Sequence, residues 1–461
     1  MRTLIVGAGI SGLACADALA GWGQDVEVYE ASGRAGGRME TATVADCRVE
    51  VGANFLSSTY RVIPRMAERL GVALRPIRAR AGIIVDSQAV TYVPNGFAMV
   101  RAGVMGWREA AQAGWQLARQ FPRLAKANPA DPAQWADIDV PADAWCSGRF
   151  GRAFTNAVIG SSFRGYYFQD LAQTSASAAL AMVSYGSRPF TTLTADPGLE
   201  AIPRALAAGL SIHYEAPVVR VERDRTGGAL VLANGTVVEG DRIVLAVPAP
   251  AAASLVADPS PLETQLLSTP YSSGLLVVLA CRRRLTEREL GGAYGLLASP
   301  SQAGPIAALC VASRAGHAAP GADAVTVMFD GEAAERLISQ GEPDADVVTR
   351  AVAALCELAP TLQEAVDGEA SRVVRIPAAM PTCRVGRVGR VRRYRVEHRG
   401  PVILAGDYLA FPWSDSAALT GLWAGVGRAR LRGARGRRCR VPSRVPRSPC
   451  VIGESVYCVA R

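Results

Sequence analysis

Arg2-Thr-Leu-Ile-Val-Gly-Ala-Gly-Ile-Ser-Gly12 leads into a helical stretch that ends near Gly21 and Gly23, and Asp25-Val-Glu-Val-Tyr-Glu30 follows it. Five residues rich in apolar side chains that run into a glycine turn read as a short buried strand. Gly7, Gly9 and Gly12 then have distinct tasks. The first allows the tight turn, the second lets a pyrophosphate approach the backbone, and the third lets the new helix pack closely. Phosphates on such a turn sit on the helix N-terminus, here Ile10 and Ser11, where unpaired N–H groups point outward. Glu30 ends the second strand eighteen residues after Gly12. There its carboxylate, with Ala31 beside it, can accept both hydroxyls of an adenosine ribose, and its charge repels a 2′-phosphate. Strand, glycine turn, helix and strand begin a parallel, doubly wound α/β sheet that binds a dinucleotide.

Outward from this unit, a chain of 461 residues, 49% apolar, is long enough for two cores. The formal charge of +9 is concentrated at one end. Residues 428–461 hold ten arginines against Glu454, a net of +9, so the remainder sums to 9 − 9 = 0. A basic face for nucleic acid is therefore not indicated. Lys126 is the only lysine, an imbalance that coding bias explains. The ten cysteines show no C-x-x-C spacing and the three histidines join no cluster, so neither a metal site nor a disulfide framework is expected. No window approaches a membrane-spanning length of apolar residues. A cytoplasmic protein, soluble or peripherally attached to a membrane, is the expectation.

The pattern along the chain divides it. Residues 1–88, 195–255 and 385–432 carry short apolar strands and glycine turns, and are expected to form a discontinuous Rossmann-like nucleotide domain. Residues 89–194 and 256–384 are expected to form an α+β substrate domain. Its helical insertion runs from about Thr91 to Met182, and its mixed or antiparallel sheet includes Gly274–Cys281 and Ala324–Phe329. A helix is expected over Gly198–Ala208, with strands at Val218–Glu222, Asp241–Pro248 and Pro401–Ala405. Residues 433–461 turn arginine-, proline- and cysteine-rich without apolar periodicity and read as a loose tail.

Ala35-Gly36-Gly37-Arg38 lies just beyond Glu30, and its arginine offers a fixed fork to ribose or pyrophosphate oxygens. At this point the chain resembles the flavin-containing amine oxidoreductase superfamily, which includes monoamine oxidases, protoporphyrinogen oxidases and phytoene-type desaturases. Gly52-Ala53-Asn54 resembles the family's segment under the flavin ring, and Val219 falls on its adenine-side strand. Leu404-Ala-Gly406-Asp407-Tyr408, followed by Ser414 to Gly425, resembles the closing motif. The resemblance implies FAD as cofactor, with Asp407 on the ribityl chain and the helix N-terminus at Ser416 and Ala417 facing the pyrimidine edge. A helix N-terminus there favours an anionic reduced flavin. Neither Gly33 to Phe55 nor Tyr408 to Thr420 contains a histidine. Cys47, the sole thiol in those windows, does not match the family's attachment position, so FAD is expected to be non-covalent.

The resemblance covers residues 1 to about 430 and is weakest in the substrate domain. Many amine-oxidising relatives carry a lysine that holds a water at flavin N5, and no lysine follows Lys126 here. Thr269–Leu279, Gly295–Pro300 and Val325–Gly331 look more like the protoporphyrinogen-oxidase and desaturase branches. Those branches oxidise C–C or C–N bonds of apolar substrates, with flavin N5 as hydride acceptor. Tyr408, Phe411 and Trp413 are the expected pocket residues, ahead of Tyr166, Tyr167 and Phe168. The expected partner is a small apolar molecule, with oxygen or a quinone as electron acceptor. Three alternatives stay open: an amine oxidase forming imine and peroxide, a redox-neutral isomerase, and a lipid-carrier protein of the GDP-dissociation-inhibitor type. Oligomeric state is left unassigned.

Overall fold

Arg2–Val6 is the middle strand of a five-stranded parallel sheet ordered Ser211–His213, Asp25–Tyr29, Arg2–Val6, Arg242–Leu245, Val402–Leu404. The structure is a computed structural model that describes residues 1–85, 88–91, 96–186, 190–224, 227–302 and 304–433. Apart from Gly433, the stretch expected to be a loose tail therefore lies outside the described residues. Leu4 and Ile5 are wholly buried, as are Ile243 to Leu245, because both faces of a parallel sheet are covered. Register sets Val6 opposite Tyr29 and Leu245, and Leu245 opposite Leu404. The chain therefore leaves four strands at one edge through Gly7, Glu30, Ala246 and Ala405. Sheet order reverses at Arg2–Val6, and a crevice at the carboxyl edge of such a switch point is where α/β sheets bind ligands.

The first helix, Ile10–Gly21, is apolar on nearly every side because it lies between the sheet and the closing helix, Ser414–Gly433. It ends at Trp22–Gly23, where Gly23 takes a left-handed φ of 69° and donates to the Ala20 carbonyl. The helix expected over Gly198–Ala208 is shorter, Ala201–Ala207. Gly198 instead makes a close approach, since a Cβ there would stand 2.2 Å from Thr41 Oγ1.

A seven-stranded sheet is ordered Val366–Pro381, Tyr271–Cys281, Asp323–Phe329, Ile306–Val311, Gly295–Ala298, Ala81–Val85, Gln88–Thr91. Its pairings are antiparallel except between Gly295–Ala298 and Ala81–Val85, so the sheet is mixed. Leu275 to Leu279 are buried throughout, and helices Gly331–Ser339 and Asp344–Leu358 pack on this sheet. A smaller antiparallel sheet holds Val218–Arg223, Gly228–Leu232 and Val237–Gly240. Residues 96–186 are helical, with Trp107–Lys126, Ala142–Phe150, Ser161–Tyr167 and Ala176–Gly186 as the longer elements. Met1–Val426 form one compact unit, and residues from Gly427 onward belong to a second.

Candidate flavin site

Two motifs some 370 residues apart meet at the sheet's carboxyl edge. Gly7 takes a φ of 97°, and a Cβ on Gly12 would lie 2.0 Å from the Gly7 carbonyl oxygen, so both positions require glycine. Gly9 differs: a Cβ there would meet nothing within 4 Å. The turn is thus tight underneath and open above, at a helix N-terminus that no side chain caps. The Gly36 amide donates to the Ala8 carbonyl at 2.8 Å and Gly37 lies against Gly9, which straps the second glycine pair beside the first.

Glu30 is positioned by three donors: the Ala8 amide at 2.7 Å on one oxygen, and the Ser32 amide and hydroxyl at 2.9 and 2.7 Å on the other. A carboxylate has about four lone-pair sites, so acceptor capacity remains for a ribose hydroxyl. The Ala216 amide donates to the Glu30 carbonyl, which brings the strand carrying Val219 alongside, and Val219 is 51% exposed. Ala31 is exposed next to Glu30.

Arg38 pairs with Asp407, Nη2 to Oδ2 at 2.8 Å, and also donates to the Ala379 carbonyl. Tyr271 donates its hydroxyl to the other Asp407 oxygen at 2.8 Å, and the guanidinium stands 5.9 Å from the Tyr271 ring centre. Burial works against the Arg38 charge, but Asp407 and the Tyr271 hydroxyl outweigh it and hold the guanidinium protonated. Gly52 passes directly behind Arg38, since a Cβ there would lie 1.9 Å from the Arg38 carbonyl oxygen. The Ala53 amide donates to that oxygen at 2.9 Å, and the Asn54 carbonyl accepts the Tyr294 hydroxyl at 2.8 Å.

The closing helix docks on the first helix by the same means. A Cβ on Gly421 would lie 1.9 Å from the Ser11 carbonyl oxygen. Thr420 Oγ1 stands 3.2 Å from Ser11 Oγ and accepts the Gly406 amide at 2.9 Å. Gly406 itself has a φ of 137°. Ser416 is buried and donates its hydroxyl to the Ala130 carbonyl, so its side chain serves the helical segment. Ala417 follows it with 8% exposure.

The three expected pocket residues are all deeply buried. Tyr408 is fully buried in a cluster with Tyr394, Val402 and Leu404, and Phe411 is fully buried as well. A ring that borders an internal space keeps accessible surface, and these two keep none. Trp413 retains 6%. Phe55, Tyr60, Tyr166 and Tyr185 are half-buried. Burial nevertheless pushes the Tyr60 and Tyr185 phenols upward. These rings pack together with Tyr167 and Trp413. They form one run of ring contacts: Phe55–Tyr166 at 5.3 Å, Tyr167–Trp413 at 5.9 Å, Trp413–Tyr185 at 5.1 Å and Tyr185–Tyr60 at 4.9 Å. Tyr166 and Tyr167 link the first two pairs at 6.2 Å. Phe55 directly follows Asn54, so the run starts at the Gly52 segment.

Several residues that position the site carry no sequence signal. Tyr271 and the Ala379 carbonyl reach Asp407 and Arg38 from the seven-stranded sheet. Buried Arg387 braces the loop after Asp407 through the Tyr408 and Ala410 carbonyls. Asp415 accepts the amides of Arg61, Val62 and Ile63 at 2.8 to 3.0 Å, joining the closing helix to the next short helix, Ile63–Arg69. Burial pushes its carboxyl upward against the pull of those amides. Glu50 accepts the Leu199 amide and the Thr41 hydroxyl, and burial pushes it up to about 7.

Comparison with known proteins places the chain. A family model described as flavin containing amine oxidoreductase matches residues 10–423. A zeta-carotene-forming phytoene desaturase of Myxococcus xanthus is 28% identical over 330 residues, 62% of this chain and 61% of the desaturase. The curated relatives are thus spanned over less than two thirds of their own length. Among solved structures, wild-type putrescine oxidase bound to putrescine superposes with a TM-score of 0.71 at 19% identity, covering 94% of this chain and 99% of that one. A proposed protoporphyrinogen oxidase from an Exiguobacterium species gives 0.72 at 18% identity, covering 94% and 99%. The motifs that meet at the sheet edge, the fold and the family match agree: this chain belongs to the flavin-containing amine oxidoreductase family.

Proposed function

We propose that the chain is an FAD-dependent oxidoreductase that takes a hydride from an apolar organic substrate, oxidising a C–C or C–N bond. The observation that carries this reading is the open space above Gly9, with Gly37 against Gly9 and Glu30 held by the adjacent Ala8 amide, together with the Arg38–Asp407 pair that joins the second glycine motif to the closing one. Its donors and acceptors match an ADP moiety and a ribityl chain. The uncapped first helix faces the pyrophosphate, Glu30 the ribose, and Asp407, held by Arg38 and Tyr271, the ribityl hydroxyls. Bound flavin supplies the hydride acceptor. Non-covalent attachment is favoured because Cys47 is fully buried among Val49 and Ala324, its thiol pushed up to about 11 by burial.

In this reading the flavin belongs to residues 1–88, 195–255 and 385–432 and the substrate to 89–194 and 256–384, with Ala81–Val85 crossing into the seven-stranded sheet. The aromatic run from Phe55 to Tyr60 walls the substrate space and excludes water. Asp415 adjoins it, but its oxygens are spent on three backbone amides. The only lysine, Lys126, is exposed at a helix end. With Asp415 so spent, the wall itself supplies no carboxylate to pair with an ammonium ion, which favours an uncharged substrate.

The test is a purified full chain. It is expected to be yellow and to release FAD on heating. A colourless protein that takes up no added FAD refutes the flavin reading. Anaerobic mixing with isoprenoid polyenes or porphyrinogens is expected to bleach the flavin, and peroxide on reoxidation identifies oxygen rather than a quinone as acceptor. Rapid bleaching by simple primary amines or amino acids, and not by apolar compounds, overturns the substrate class and leaves the flavin reading standing.

A further inference from the structure

We propose that the outward face of helix Trp107–Lys126 is a docking surface for an anionic lipid bilayer. Its inward face is settled by packing: Ala113 and Leu124 are buried, with Leu117 against the same core and Ala110 against the neighbouring one. The apolar arc of the helix is wider than this core can cover. At about 100° per residue, Trp107, Gly114, Trp115, Ala118 and Phe121 share an adjacent stripe, and all five are exposed. Trp107 is 62% exposed, Trp115 68% and Phe121 50%. At 1.5 Å per residue the stripe is about 21 Å long from Trp107 to Phe121. Phe97, 55% exposed, extends it through a ring contact with Trp107 at 5.8 Å. Among the described residues, four of the seven exposed large aromatics fall between Phe97 and Phe121.

Charge identifies the occupant. Arg108, Arg119 and Lys126 form one row along the edge of the stripe, all exposed, and no carboxylate among the described residues pairs with any of them. Glu109, the one acid of the helix, is turned away and spent on the Gly106 and Ala153 amides. A second copy of this chain would set cations against cations across this face, with no acid to answer them. Anionic headgroups supply the missing charge, and the aromatic stripe suits the boundary of headgroups and acyl chains. Aromatic residues beside a row of cations on a solvent-facing stripe form the pattern of a helix that lies in an interface. This inference stands apart from the flavin reading, because none of these residues belongs to that site.

The test uses the full chain and flotation with vesicles of phosphatidylcholine containing phosphatidylglycerol, against phosphatidylcholine alone. Binding is expected to the anionic vesicles and to weaken as salt rises. Trp115→Ser with Phe121→Ser is expected to reduce it at least tenfold, with unchanged circular dichroism and melting. Arg108→Gln and Arg119→Gln are expected to weaken it roughly fivefold per cation removed. Brominated lipid is expected to quench a tryptophan signal that Trp115→Phe reduces and that Trp107→Phe with Trp115→Phe removes. Three results overturn the proposal: no flotation, equal binding to neutral vesicles, or anionic binding that survives the serine substitutions, which assigns the attraction to the arginine-rich terminal stretch. A dimer in solution that the serine substitutions dissociate also overturns it, by making the face a contact between copies.

Discussion

Gly421→Ala is expected to loosen the contact that brings the two ends of the chain together. The added methyl would stand 1.9 Å from the Ser11 carbonyl oxygen and 2.8 Å from its carbon, both backbone atoms. A comfortable C···O contact is roughly 3.3 Å, so the two helices must part by about 1.4 Å locally. Overpacking of this kind costs about 1–3 kcal/mol, and a shift larger than a methylene's worth of slack puts this site near the upper end. Alanine regains about 1 kcal/mol of helix propensity over glycine, which leaves a net loss of about 2 kcal/mol. The moved peptide is Ser11, in the first turn of the phosphate-facing helix, and Thr420 next to the substitution holds the Gly406 amide. Flavin binding is therefore expected to weaken tenfold or more, about 1.4 kcal/mol per tenfold. Denaturant melting of apoprotein and titration with FAD followed by flavin fluorescence measure the two effects. Gly425→Ala is the control. Its methyl would lie 3.1 Å from the Cys15 carbonyl and 3.4 Å from Ala18 Cβ, so a few tenths of an ångström of give suffice and the result should be near neutral. Wild-type stability and affinity in Gly421→Ala, or equal damage from Gly425→Ala, would refute the reasoning.

Three further expectations follow from carboxylates, Glu50 and Asp415 buried and Glu30 half-buried. Glu50, pushed up to about 7 by burial, binds a proton in the folded state that the unfolded chain has lost above the ordinary glutamate value of 4.5. Its contribution is fully present below pH 4.5 and is lost as pH rises through 7, about 3 kcal/mol in all. Glu50→Gln should flatten that part of the stability–pH curve, and parallel curves for the two proteins would contradict the account. Asp415→Ala strands three amides, at about 1–3 kcal/mol for each group left buried and unpaired, so melting should fall steeply and Asp415→Asn should recover part of the loss. Glu30→Ala should lose about 1.5–3 kcal/mol of FAD affinity, the worth of a charge-assisted hydrogen bond; unchanged affinity would mean that the adenosine ribose lies elsewhere.

The opening unit was legible because its information is local. Glycine spacing, an alternation of strand and helix, and an acid at the second strand's end are each set by backbone sterics within about thirty residues, and the fold reproduces them. The closing motif was legible for the same reason, its strand, Gly406-Asp407 and small-residue helix being adjacent in sequence. Tertiary structure alone decided what these motifs touch. Arg38 reaches Asp407, Tyr271 joins them from the other sheet, and Gly421 seats on Ser11, contacts that depend on how distant segments fold and leave no periodicity behind. How the rings beside the closing motif pack was decided on similar grounds. Tyr408 and Phe411 stand beside the Gly-acid pair in sequence, yet their rings turn into core, while Tyr60 and Tyr185 arrive at the aromatic space from segments more than a hundred residues apart. Whether an aromatic ring meets core, cavity or solvent depends on the other elements that pack around it, which is also why the stripe on Trp107–Lys126 emerged only once its buried neighbours had claimed the other side of the helix.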